Sequence, residues 1–218
     1  MKLKNTCLRR DVLFGLAGLT STALLGTLSG CAMPVKAPTT ATPQAGHGTV
    51  LVRITSVGLK KMYAFVVKAR PVGSTEQIFL SGWGTQSEGY WTVVDDHLEK
   101  GQLVALELPS GDYEMFSFQA TSQTLAGPKT STPTENFSYP FKVISGEVVY
   151  LGELYFKFDD KTNAATGSPG QNVPLKISVQ ENRTRDFRDA LKKVPGLKPD
   201  QITVRLLRRS STDASPKG

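Results

Sequence analysis

His97 is the first residue in the chain that invites a catalytic reading. It stands beside Asp95, Asp96 and Glu99, and a histidine among carboxylates can act as a base or help to hold a metal ion. The cluster falls on a polar stretch between two predicted strands, where charged side chains are expected of any solvated loop. A solvated loop is therefore the reading adopted. A hydrolase or metal-dependent enzyme built on His97, Asp95 and Asp96 is the alternative. Asp159, Asp160 and Asn163 offer oxygen ligands suited to Ca²⁺, but they lack alternating D-x-D-x-D spacing and serve equally well as hairpin-turn residues. Trp83, Tyr90 and Trp91, in the Gly-rich stretch 82–91, can present a flat amphipathic surface to a sugar or peptide, as a surface-exposed adhesin would. Burial of at least one tryptophan in the core is the competing use. Arg183, Arg185, Arg188, Lys192 and Lys193, followed by Arg205, Arg208 and Arg209, form a basic end that fits a polyanion. The sequence contains no G-x-S-x-G elbow, no H-E-x-x-H and no phosphate loop. No cofactor and no metal are expected.

The elements that would position these residues begin after a targeting segment. Lys2, Lys4, Arg9 and Arg10 precede an uncharged run from Val12 to Leu28, the layout of a signal peptide spanning 1–30. Leu28, Ser29, Gly30 and Cys31 resemble the bacterial lipobox. The small residues let a peptidase take an extended backbone, and the Cys31 thiol then carries a diacylglycerol. The uncharged run is 17 residues, about 25 Å as a helix, which is the lower limit for crossing a bilayer. Arg9-Arg10-Asp11-Val12-Leu13 also resembles the core of a twin-arginine export signal, so export runs by that route or by the general secretory one. Ala32, rather than aspartate, after the cysteine implies an outer-membrane destination, lipid-anchored through acylated Cys31 and facing the periplasm. Cys7 leaves with the signal, so Cys31 contributes the only thiol and no internal disulfide is possible.

The 218-residue chain has 26 Lys/Arg against 19 Asp/Glu, for a net charge of +7, of which +6 lies in residues 183–218. Nucleic acid is a poor partner for an exported chain without interleaved basic and aromatic residues. Envelope protein, peptidoglycan and lipopolysaccharide fit the charge and the address. Two cysteines and two histidines exclude a zinc-finger or disulfide-rich scaffold. Residues 31–48, with three prolines and three threonines, predict a tether from lipidated Cys31, up to about 50 Å long if it is polyproline II.

From Thr49 the period becomes two. Val50, Val52 and Ile54 alternate with Leu51, Arg53 and Thr55 as a half-buried strand. Met62–Lys68, Gln77–Leu80, Tyr90–Val94, the alternation Val104–Leu108, Asp112–Gln119, Phe137–Ile144, Glu147–Phe158 and Val173–Val179 complete eight or nine strands over 49–181. A phase change between Met115 and Phe116 predicts a bulge, and Pro174 predicts an edge strand. Phe187, Ala190, Leu191 and Val194 make one helical stripe, with Thr184 as N-cap and Pro195-Gly196 as the stop. A short strand over Ile202, Val204 and Leu206 closes the domain (182–208), and 209–218 reads as a disordered tail.

Two stretches carry a family resemblance. Leu108-Pro109-Ser110-Gly111-Asp112-Tyr113 is similar to the proline–glycine turn and tyrosine strand of prealbumin-like sandwiches, such as carboxypeptidase regulatory-like modules. Phe141-Lys142-Val143 through Ser145-Gly146-Glu147-Val148-Val149-Tyr150-Leu151-Gly152 resembles the following hairpin of uncharacterised proteobacterial outer-membrane lipoproteins, and Asp186 to Val194 resembles their ending. The resemblance implies a mainly β fold, an antiparallel Ig-like or prealbumin-like β-sandwich with one C-terminal helix and a short final strand. It transfers no catalytic residue. The expected function is that of a non-enzymatic binding or accessory module of the cell envelope.

Overall fold

A computed structural model describes residues 36–57, 62–83, 99–124, 127–133, 137–158 and 176–210. The fold is mainly β, with two five-stranded sheets and one α-helix among these residues. Sheet one contains β1 (His47–Val57), β4 (Glu99–Pro109), β8 (Val148–Lys157), β9 (Lys176–Gln180) and β10 (Ile202–Val204). Sheet two contains β2 (Met62–Pro71), β3 (Ile78–Trp83), β5 (Gly111–Thr124), β6 (Gly127–Ser131) and β7 (Tyr139–Val143). The helix α1 spans Arg183–Lys193.

Both sheets use one long strand with two short ones along its outer edge. In sheet one, β10 pairs with the first half of β8 and β9 with the second half. In sheet two, β7 and β6 divide β5 in the same way. The break in β8 falls at Gly152, whose φ of +92° suits glycine and few other residues. One extra β8 residue stands between the pairs Leu51↔Tyr150 and Arg53↔Glu153, so Tyr150 and Glu153 share a face despite their odd spacing. The bulge expected near Phe116 is present: Lys68 pairs with Ser117 and Ala69 with Met115, leaving Phe116 as the extra residue.

The two sheets close on one core. Val50, Val52 and Ile54 of β1 and Leu151, Leu154 and Phe156 of β8 meet Phe65 and Val67 of β2 and Met115, Phe118 and Ala120 of β5. Phe156 stands edge-on to Phe65 at 4.7 Å between centroids and to Phe118 at 5.3 Å. Each such ring contributes roughly 1.5–3 kcal/mol by burial, and edge-to-face pairs add about 1 kcal/mol.

Four expectations need correction. The sheets are not purely antiparallel: the stretch 141–152, expected as a hairpin, instead carries the chain from β7 of sheet two to β8 of sheet one, where β8 runs parallel to β1 and β10 parallel to β8. β1 is buried on both faces rather than one, because α1 covers the face carrying Leu51, Arg53 and Thr55. The cap of α1 is Asn182, whose Oδ1 accepts from the Arg185 N–H at 3.2 Å, while Thr184 lies inside the helix. Finally, the Pro/Thr segment is docked where it is described. The Lys36 carbonyl accepts from the Glu107 N–H at 2.9 Å, Pro38 and Pro43 are buried, and Ala41 packs in the core beneath α1.

At the other end of the chain, Ser210 donates its N–H to the Ser138 carbonyl, so ordered chain continues two residues into the expected tail. Tyr90–Val94 and Val173–Leu175 lie outside the described residues.

Candidate functional site

Two places bring polar chemistry together. The first lies beneath α1. Arg53, 2% exposed, projects from β1, and its Nε donates to Oδ1 of the fully buried Asp186 at 2.6 Å. Its Nη2 donates to Asp189 one helical turn on. Arg185 reaches the same Asp186 oxygen from Nε and Glu153 from Nη2, both at 2.7 Å. The Tyr150 hydroxyl donates to the other Asp186 oxygen, and the Thr55 hydroxyl donates to Glu153.

Position on the elements explains the convergence. Arg53 and Thr55 share the outer face of β1, the bulge at Gly152 turns Glu153 onto that face, and Asp186 and Asp189 share one side of the helix. Burial raises the Tyr150 phenol above its usual range, and the bond and charge of Asp186 raise it further. Burial pulls on Arg185 in the opposite sense, but its bonds to Asp186 and Glu153 outweigh that and hold the guanidinium more firmly protonated. Lys193 is lowered by burial and by Arg53, with Asp189 opposing.

Arg53, Arg185, Glu153, Asp186 and Asp189 each have a partner on a neighbouring element. That suits a lock between helix and sheet better than a reaction centre. Sequence patterning missed it because Arg53 in an alternating strand looks like an outward residue. Asp186 and Asp189, three apart on a helix that must pack on a sheet, were the available signal.

The second place is the outward face of sheet two, which no described residue covers. The Lys68 ammonium lies 5.6 Å from the Phe79 ring centroid, and the Arg70 guanidinium lies 4.4 Å over Phe116. Arg70 also pairs with Glu114 at 2.7 Å. Phe79 is 46% exposed. Cations above aromatic rings on an open sheet can take flat, polar or anionic ligands.

The basic end divides between solvent and the network under α1. Arg183 pairs with Glu181, and Arg188 and Lys192 point outward, whereas Arg185 and Lys193 are turned toward the sheet. Arg205 holds Glu147 through Nη2 at 2.7 Å, and Arg208 and Arg209 are exposed. Trp83 ends β3 opposite Phe65. Its side chain, together with Tyr90, Trp91, Asp95, Asp96, His97, Asp159, Asp160, Asn163 and the lipobox Leu28–Cys31, lies outside the described residues. Among the described residues, no group of three or more His, Cys, Asp or Glu is placed to hold a metal. None of their helices is long and apolar enough to cross a membrane.

No protein-family model matches the chain, and no curated protein matches it. Among solved structures, a leucine-rich repeat protein from Bacteroides thetaiotaomicron matches at 18% identity and a TM-score of 0.30. The match covers 68% of this chain and 16% of that one. A likeness this loose bears on neither fold type nor function. The comparisons give no evidence of an enzyme.

Proposed function

We propose that this chain is a lipid-anchored lipoprotein of the outer membrane, held by acylated Cys31 and facing the periplasm. There it acts as a non-enzymatic binding or accessory module. The address rests on Leu28-Ser29-Gly30-Cys31 after an uncharged run. The module rests on the open face of sheet two, where Lys68 and Arg70 lie over Phe79 and Phe116. This face is the observation that carries the functional reading. It matches an anionic or polar envelope component, such as lipopolysaccharide, peptidoglycan or an acidic protein surface.

The finer fold assignment belongs to the same proposal: a prealbumin-like, Ig-like β-sandwich. Its support is the Leu108–Tyr113 motif together with the Tyr113 hydroxyl, which donates to the Pro109 carbonyl at 2.9 Å. A tyrosine bonded to the backbone four residues upstream is the corner arrangement of Greek-key sandwiches.

The test is in-cell crosslinking and affinity capture, comparing wild type with K68A/F79A and with Cys31→Ala. A discrete envelope component captured by wild type and lost in both variants supports the proposal. Equal capture by K68A/F79A rules out the open face as the contact.

A further inference from the structure

The docked N-terminal segment fixes which end of the domain is near its anchor. Lys36 bridges Glu107 on the outer edge of β4, two residues before Pro109. Five residues from Cys31 to Lys36 reach at most about 18 Å. The opposite end of β4, at Glu99, lies eight residues from Glu107, about 27 Å along the strand. An anchor at Cys31 therefore cannot lie level with the far end of the sheets.

At the near end, the start of β1 meets the β4–β5 and β7–β8 turns, and the β2–β3 turn joins them through the start of β5. Gly46 accepts from the Ser110 N–H, Val72 donates to the Asp112 carbonyl, and Gly146 donates to the His47 carbonyl. Two large apolar side chains stand out from these turns, Val72 at 61% exposed and Ile144 at 42%. They are the most exposed and the third most exposed of the described large hydrophobics. Gly111, at the turn between them, pairs with Val143, so the two side chains belong to one rim.

We infer that this rim, carrying Val72 and Ile144, rests on the lipid surface. The domain then stands on its turns beside the membrane, rather than at the end of a 50 Å tether. This inference rests on the proposed acylation of Cys31 and goes beyond it. Lipid is the occupant because the chain to the anchor is too short to admit a partner layer between the rim and the bilayer. Shallow insertion of two aliphatic side chains adds apolar area to the hold of the acyl chains.

With Cys7 removed and Cys31 acylated, a cysteine placed at position 72, 144 or 157 is the sole thiol. Lys157 is exposed at the far end of β8 and pairs with Val57 in register, so it serves as the distal reference. The full lipidated protein carrying Val72→Cys, Ile144→Cys or Lys157→Cys would be labelled with a nitrobenzoxadiazole dye. It would then be reconstituted into phosphatidylethanolamine–phosphatidylglycerol vesicles containing spin-labelled lipid. The expected result is a blue shift and at least twofold stronger quenching at positions 72 and 144 than at 157. Equal, water-like signals at all three sites, on protein whose intact mass includes the acyl chains, would overturn this inference and leave the anchor standing. An intact mass without acyl chains would overturn the anchor, and the inference with it.

Discussion

At the scale of single residues, the network under α1 makes the firmest demands. Removing one member of a buried ion pair strands the other, at a cost of about 3–5 kcal/mol. Arg53→Ala is expected to lose that much stability in urea unfolding, and Asp186→Ala a similar amount. The double variant Arg53→Met/Asp186→Leu should lose far less than the sum, because it replaces the charges with apolar volume. Additive losses would show that the pair does not act as a unit.

Titration gives the same network a signature. The raised Tyr150 pKa means that the folded protein keeps a proton which the unfolded chain releases above about pH 10. This part of the stability is complete below pH 10 and is lost as pH rises. Tyr150→Phe should cost about 1.5–3 kcal/mol at neutral pH, by losing a bond to a carboxylate, and should flatten the alkaline decline. Glu147 behaves in the opposite sense. Burial would raise it, but bonds from Arg205 and Thr203 outweigh that and lower it. Its contribution is present above about pH 4.5 and is lost as pH falls, so Glu147→Gln should blunt acid unfolding in a pH-dependent melt.

Elements were legible in proportion to how far local pattern decides them. The alternation in β1, the bulge at Phe116 and the stop at Pro195-Gly196 depend on backbone periodicity and turn chemistry, and all three stand where the sequence places them. The orientation of α1 depends on what it meets. Leu191, assigned to the apolar stripe, is 37% exposed, while Asp186 is fully buried against Arg53. Phe187, Ala190 and Val194 pack on the sheet as the stripe predicts, but Asp186 joins them through Arg53, 133 residues away, and no local window contains that partner. For the same reason, neither the buried outer face of β1 nor the docked tether was readable.

Two element-scale tests follow. Asn182→Ala should cost about 1 kcal/mol in chemical unfolding by removing the cap, whereas Thr184→Ala should stay within about 0.5 kcal/mol. Gly152→Ala forces a side chain onto a φ of +92° and brings its Cβ to 3.0 Å from the Gln180 carbonyl oxygen. A loss of about 1–3 kcal/mol is expected, together with weaker hydrogen-exchange protection where β9 and β10 meet β8.

The whole molecule is layered, with α1 on sheet one, sheet one on sheet two, and the last face free among the described residues. On the function proposed above, the helix side serves stability and the open side serves contact. Phe79→Ala should therefore leave the unfolding midpoint nearly unchanged while reducing capture of the envelope component, which crosslinking yield would measure. The address remains the claim on which the rest depends, and it reduces to one thioether. The direct measurement is metabolic labelling with radioactive palmitate, followed by membrane fractionation of wild type and Cys31→Ala. The account predicts a labelled band in the outer-membrane fraction for wild type and an unlabelled chain, absent from that fraction, for Cys31→Ala. An unlabelled wild-type chain recovered in the soluble fraction would contradict it.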